Sequence, residues 1–153
     1  VGNCCLLDGG GRGRLLTSGR CGALRRLLVA RVRAPGRRGQ LVDGQRVLGV
    51  DVDESVVENL KEDIRHLAIA EARDEETLRQ LDIRPDTLVV LGMTPVAASL
   101  MTATALNELG VREIWAKAGS RQHVEALTRL GVSRIIQPER EAGLAMASEI
   151  LRR

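Results

Sequence analysis

The stretch Arg84-Pro85-Asp86-Thr87-Leu88-Val89-Val90-Leu91 decides the fold. Pro85 has no backbone N–H, so Arg84-Pro85-Asp86 ends whatever helix precedes it. Thr87–Leu91 is then an unbroken apolar run, the pattern of a strand buried on both faces, as in parallel sheets. Downstream, Thr94–Leu109 is small and apolar, with Pro95 at a permitted first-turn position and Gly110 as a stop, so a helix is expected there. Val111–Ala116 reads as a strand, Ser120 as a cap for a helix over Arg121–Leu130, and Gly131 as its stop. Val132–Ile136 reads as another strand and Pro138–Leu151 as a last helix. Upstream, Asp43-Gly44 signals a turn before the short strand Val47–Val50. Asp53 or Ser55 can cap a helix over Glu54–Asp63, whose apolar residues are Val56, Val57, Leu60 and Ile64. Leu67–Ala70 is strand-like, and the acids of Asp74–Leu81 favour a helix start. The order from Val47 is β-α-β-α-β-α-β-α-β-α. Short strands alternating with helices predict an α/β fold with a doubly wound, mainly parallel sheet and right-handed crossovers. Ligands of such sheets bind at the carboxyl ends of the strands.

Composition narrows the function. The 153 residues are 44% hydrophobic but only 1% aromatic, with one Trp and no Phe or Tyr. That argues against modules that stack bases on aromatic platforms. No apolar run reaches the ~18 residues of a spanning helix. The net charge of +3 hides a division near Gly39. Residues 1–39 hold nine of the arginines, one acid (Asp8), nine of the 16 glycines and all three cysteines; residues 40–153 sum to a negative charge. Two regions are therefore read: a basic Gly/Arg/Cys-rich segment over 1–39 and a folded domain over 40–153. A basic arm for nucleic acid or membrane is one reading of the first, and a segment too poor in apolar mass to fold is the better-supported one. The odd cysteine count, with no His cluster, points to reduced thiols rather than a zinc site. The first residues lack the apolar stretch of a secretory signal, so a cytoplasmic protein is expected.

The chemistry-bearing residues cluster after strands. Asp51 ends the strand Val47–Val50, where an acid accepts hydrogen bonds from ribose hydroxyls in dinucleotide folds. Asp51 and Asp53 could equally serve only to cap the next helix. The companion G-x-G-x-x-G is absent from residues 28–39, and Gly9-Gly10-Gly11-Arg12-Gly13 lies too far upstream. Lys117, just after a strand, is either a phosphate counter-ion or a surface lysine. Glu139 is either a ligand contact or a favourable acid at a helix start. No catalytic constellation and no metal-ligand cluster is recognisable.

Four segments together resemble the N-terminal RCK (TrkA-N) domain of Trk/Ktr potassium uptake systems. They are Val47–Glu54; Asp74–Leu78 leading to Leu81–Arg84; Ile114-Trp115-Ala116-Lys117-Ala118; and Leu130–Gly143, which contains Arg134-Ile135-Ile136-Gln137-Pro138-Glu139. The resemblance covers about residues 40–153. It implies a Rossmann-like fold with a C-terminal crossover helix, and a switch rather than an enzyme. That switch would be a cytoplasmic gating subunit, peripheral to the inner face of the plasma membrane. It would bind NAD(H) or ATP/ADP and act on a membrane potassium-translocating subunit. Homo-oligomers are implied, a dimer through the Pro138–Leu151 helix and then a ring, and no nucleic acid. It assigns Asp51 to the ribose side, with Asp53 counted beside it among the cofactor-binding residues, Glu71 and Ala72 to the loop facing the adenine, and Gly92, Met93 and Thr94 to the phosphate side. Lys117 becomes a basic residue near the nucleotide, and Glu139 the acid opening the crossover helix.

The chain departs from that family in three places. The glycine loop is missing, and Arg31 alone stands near its arginine. The usual Gly-Asp-Ala-Thr reads Glu71-Ala72-Arg73-Asp74. The chain ends at Arg153, without a C-terminal RCK lobe. The Arg, Gly, Ala, Pro and Cys excess over residues 1–38 matches out-of-frame reading of GC-rich DNA, and the other two reading frames test this. On that reading the central first strand is missing and the sheet is split. Two further classes remain: a fragment of an NAD-dependent oxidoreductase, and a nucleic-acid-binding module that uses the basic arm.

Overall fold

The computed structural model describes residues 28–32, 46–62 and 64–152. The elements are β1 (Leu28–Val32), β2 (Arg46–Asp51), α1 (Glu54–Asn59), β3 (His66–Ile69), α2 (Glu75–Gln80), β4 (Leu88–Leu91), α3 (Val96–Glu108), β5 (Glu113–Lys117), α4 (Arg121–Arg129), β6 (Arg134–Ile136) and α5 (Pro138–Leu151). From β2 onward strands and helices alternate as the sequence predicts. The six strands form one sheet in the order β3-β2-β1-β4-β5-β6. This is the strand order of the doubly wound dinucleotide-binding fold.

The centre of the sheet corrects the expectation of a split. Leu28–Val32, inside the segment read as lying outside the domain, occupies the slot between β2 and β4. It runs antiparallel to both, with Leu28 opposite Val50 and Leu91, and Val32 opposite Arg46. All other pairings are parallel. The physical reason is local: Leu-Val-Ala-Arg-Val is rich in β-branched and apolar residues, and two parallel strands left one apart expose backbone groups that must be paired. Reversal has a topological cost. The carboxyl end of β1 points away from the carboxyl ends of β2 and β4. The Gly9–Gly13 cluster lies outside the described residues.

Helix boundaries follow their capping chemistry. Asp53 is the N-cap of α1, accepting from the Ser55 N–H at 3.0 Å and from its hydroxyl at 2.6 Å. Asp74 caps α2 through Thr77 N–H, and Ser120 caps α4 through His123 N–H. Gly110 and Gly131, at φ +73° and +75°, close α3 and α4 in the left-handed conformation that terminates helices. Pro95 sits one residue earlier than expected: it precedes α3 as N-cap and offers no side-chain cap. Helix α1 is shorter than expected, because Leu60 leaves the helical ladder and its N–H turns back to Glu58 and Val57.

Two apolar layers flank the sheet. One joins Val50, Val89, Leu91, Ile114 and Ala116 with Leu78 of α2, Leu106 of α3 and Leu127 of α4. The other is small, with Val47, Leu67 and Val90 packed around Leu60 near α1. That asymmetry modifies the reading of β4 as buried on both faces. Val89 and Leu91 are fully buried, whereas Leu88 and Val90, on the thinner layer, are half-buried.

Candidate functional site

The carboxyl ends of β2, β3, β4 and β5 converge on one edge of the sheet, because these strands all run in the same direction. Asp51 is the last residue of β2 and is only 4% exposed. Its backbone carbonyl accepts from Ala70 N–H at 3.0 Å, which ties the ends of β2 and β3 together. Its Oδ1 accepts from Asp53 N–H at 2.9 Å. Its Oδ2 is buried without a hydrogen-bond partner among the described residues. Asp53 caps α1, and Asp51 uses one oxygen to hold the turn that leads into it. A buried carboxylate oxygen without a donor is costly.

The residues assigned to the base side behave differently from one another. Glu71, at the exit of β3, is held by the guanidinium of Arg73, with Nε at 2.8 Å, and by Arg73 N–H at 3.1 Å. The Arg73 contact holds the Glu71 carboxyl below its usual value. Ala72 is buried in the larger apolar layer. Neither Glu71–Arg73 pairing nor Ala72 burial was foreseen from the sequence. Met93, after β4, is half-buried and its sulfur accepts from the Thr102 hydroxyl at 3.6 Å, which turns it toward α3.

Lys117 ends β5. Leu91 pairs with Ala116, so Lys117 stands one step further along, level with Gly92 after β4. Its side chain is 20% exposed and its ammonium lies 2.6 Å from a Glu139 carboxylate oxygen. Glu139 lies in the first turn of α5 and its side chain is 65% exposed. The structure therefore joins two of the sequence-predicted residues directly. Trp115, two residues earlier on the same face of β5, carries the Arg134 guanidinium over its ring at 4.7 Å. That pair was not anticipated, since its only sequence signal is a register in which Trp115 and Arg134 are partners. Among the described residues no group of His, Cys, Asp and Glu is placed to hold a metal ion. No helix among them is long and apolar enough to cross a membrane.

One titrating group lies away from this edge. His123 of α4 is buried and its Nε2 has no hydrogen-bond partner among the described residues. Burial pushes its imidazole below the usual value of 6.5. The unfolded chain then binds more protons than the folded one at mildly acid pH. His123 favours the fold fully above pH 6.5, and this is lost as the pH falls through that value toward the lowered one. Thermal unfolding followed between pH 7 and 5 is expected to drop, and a His123→Leu variant to flatten that slope.

The TrkA-N domain family matches residues 38–138. The Ktr system potassium uptake protein A of Bacillus subtilis (strain 168) is 34% identical over 108 residues, 70% of this chain and 49% of that protein. The Ktr system potassium uptake protein C of the same organism is 32% identical over 71% of this chain and 50% of its own length. Protein A of the Vibrio alginolyticus Ktr system is 30% identical over 71% and 50%. The chain thus spans about half the length of the curated relatives it matches. Among solved structures, the NAD(P)-binding domain of an exopolyphosphatase-related protein from Archaeoglobus fulgidus superposes with a TM-score of 0.57 at 20% identity, covering 72% of this chain and 83% of that one. At that identity the likeness speaks for the fold alone. With the family match over residues 38–138 and relatives 30–34% identical over about 70% of its length, the chain belongs to the TrkA-N domain family.

Proposed function

We propose that this chain is the nucleotide-sensing domain of a cytoplasmic, non-enzymatic subunit that regulates a membrane potassium-translocating protein. The observation that carries this reading is the unpartnered buried oxygen of Asp51 at the carboxyl end of β2. An adenine nucleotide or NAD(H) supplies ribose hydroxyls, which are the donors that oxygen lacks. The Ktr names of the relatives support the system to which the domain belongs.

The two ends of the ligand fit unequally. The ribose end has its acid. At the phosphate end β1 presents its amino end rather than its carboxyl end to this edge. Phosphate charge falls instead to Lys117 and to the first turn of α3, whose N-cap Pro95 supplies no side-chain acceptor for the free N–H groups.

Helix α5 supports oligomerisation. None of its residues is buried, and Leu144, Met146, Ile150 and Leu151 are between 60% and 86% exposed. Leu144 and Leu151 share one side by a spacing of seven, and Met146 and Ile150 another by a spacing of four. A helix apolar on two sides is suited to burial between packed elements, here those of a second copy.

Calorimetry or thermal shift with ATP, ADP, NAD⁺ and NADH tests the reading. At least one is expected to raise the unfolding temperature, by a shift equivalent to ~2.7 kcal/mol at a hundred times its Kd. No shift with any of the four refutes it. Steady oxidation of NADH with an added substrate would favour a dehydrogenase fragment instead.

A further inference from the structure

We infer that Arg73, held in place by Glu71, reads the base of the bound nucleotide and selects a 6-oxopurine, guanine or hypoxanthine, over adenine. The inference rests on the nucleotide reading above and adds the chemistry of the base.

The order of the strands sets where the base goes. Lys117 and the first turn of α3, the contacts proposed for phosphate, follow β5 and β4, which lie on one side of β2. Asp51 ends β2 and takes the ribose. A nucleotide runs from phosphate through ribose to base, so the base continues past β2 to the exit of β3, on the other side. Neighbouring strands stand about 4.8 Å apart, a step that a base attached to the ribose can cover. Two large apolar side chains lie uncovered at that place. Ile69 is the register partner of Asp51, so both side chains stand on the same face of the sheet, and Ile69 is 55% exposed. Val52, directly after Asp51, is 59% exposed. Aliphatic side chains beside the ribose acid offer the flat face of a base an apolar surface to cover.

Glu71 and Arg73 follow Ile69 by two and four residues. Glu71 is committed to Arg73: its Oε1 accepts from Arg73 N–H at 3.1 Å and from Nε at 2.8 Å, and its Oε2 accepts from Nη2. This fork fixes the guanidinium and leaves Arg73 the two hydrogens of Nη1 and one of Nη2, an edge made only of donors. The pair has no net charge, so it gives a phosphate little to gain. A neutral base with acceptors gains hydrogen bonds there. A 6-oxopurine presents O6 and N7 side by side, the two acceptors that arginine binds bidentately. Adenine presents N7 beside a 6-amino group, which meets Arg73 donor to donor.

Calorimetry on the full chain with GDP, IDP, ADP, NAD⁺ and NADP⁺ tests this. GDP and IDP are expected to bind about fivefold to a hundredfold more tightly than ADP. IDP lacks the 2-amino group of GDP, so its agreement with GDP assigns the effect to O6. Arg73→Gln should bring GDP and IDP down to the affinity of ADP, with unchanged circular dichroism because the Glu71–Arg73 pair is exposed. Glu71→Gln leaves Arg73 with a net charge and should shift the balance from NAD⁺ toward NADP⁺. ADP binding as tightly as GDP in the parent overturns the inference and leaves the nucleotide reading standing. A preference for GDP that survives Arg73→Gln removes Arg73 from the base. NADP⁺ binding more tightly than NAD⁺ in the parent gives Arg73 to a phosphate and also overturns it. GDP and IDP binding without any adenine nucleotide keeps the inference and replaces adenine in that reading. No binding by any of the five sinks both.

Discussion

Replacing Asp51 with Asn raises the unfolding temperature of the ligand-free protein and weakens nucleotide binding by about tenfold to a hundredfold. The two effects have opposite signs for one reason. Asp51 Oδ2 is buried without a donor, and an uncompensated buried carboxylate costs free energy. Asn keeps an acceptor for Asp53 N–H, so the turn into α1 survives. What Asn lacks is a charged acceptor for ribose hydroxyls, whose hydrogen bonds are worth about 1.5–3 kcal/mol. Asp51→Ala separates the roles further: it removes the Asp53 contact too and should lose stability as well as affinity. Thermal unfolding gives the first effect and calorimetry the second. An Asn variant that binds as tightly as the parent would remove Asp51 from the site.

Truncating Leu106 to Ala is expected to cost about 2–5 kcal/mol. Leu106 is fully buried on α3 and belongs to the layer shared by α2, α3, α4 and the strands β2, β4 and β5. Asn107 Nδ2 donates to the Leu130 carbonyl at 2.6 Å, which pins α3 to the end of α4 and limits how far the cavity can collapse. Domains of this size are stable by ~5–15 kcal/mol, so the loss is a large fraction of the whole. Denaturant unfolding measures it. Leu144→Ala, on exposed α5, is the matched control and should change the stability of the monomer by less than about 0.5 kcal/mol.

The contrast between Leu106 and Leu144 also shows where sequence reading succeeds. Periodicity, caps and stop glycines locate α2, α3, α4 and α5 because each signal is local. Asp74, Ser120, Gly110 and Gly131 act on their own helix ends. Asp51, Lys117 and Glu139 stand at the ends of elements, so their placement follows from the same local pattern. Whether Lys117 and Glu139 touch is not local, since β6 and its register separate them. Glu71 was readable as a polar loop residue, but its capture by Arg73 depends on two side-chain rotamers. The direction of β1 was unreadable for a stronger reason. The five-residue run Leu28–Val32 carries no directional signal, so it fits a slot between two parallel strands either way round.

That direction bears on the order of assembly. Because Val32 and Arg46 are register partners, β1 and β2 close over the short span 33–45, while Arg31 must wait for Leu88. Loops of about ten residues close in ~10–100 ns, and longer-range pairings are slower. The ribbon of β1 and β2 is therefore the first part of the sheet able to form, and β4 adds to an edge already in place. A domain whose middle strand ran parallel would have to bring a crossover element round before that same edge existed.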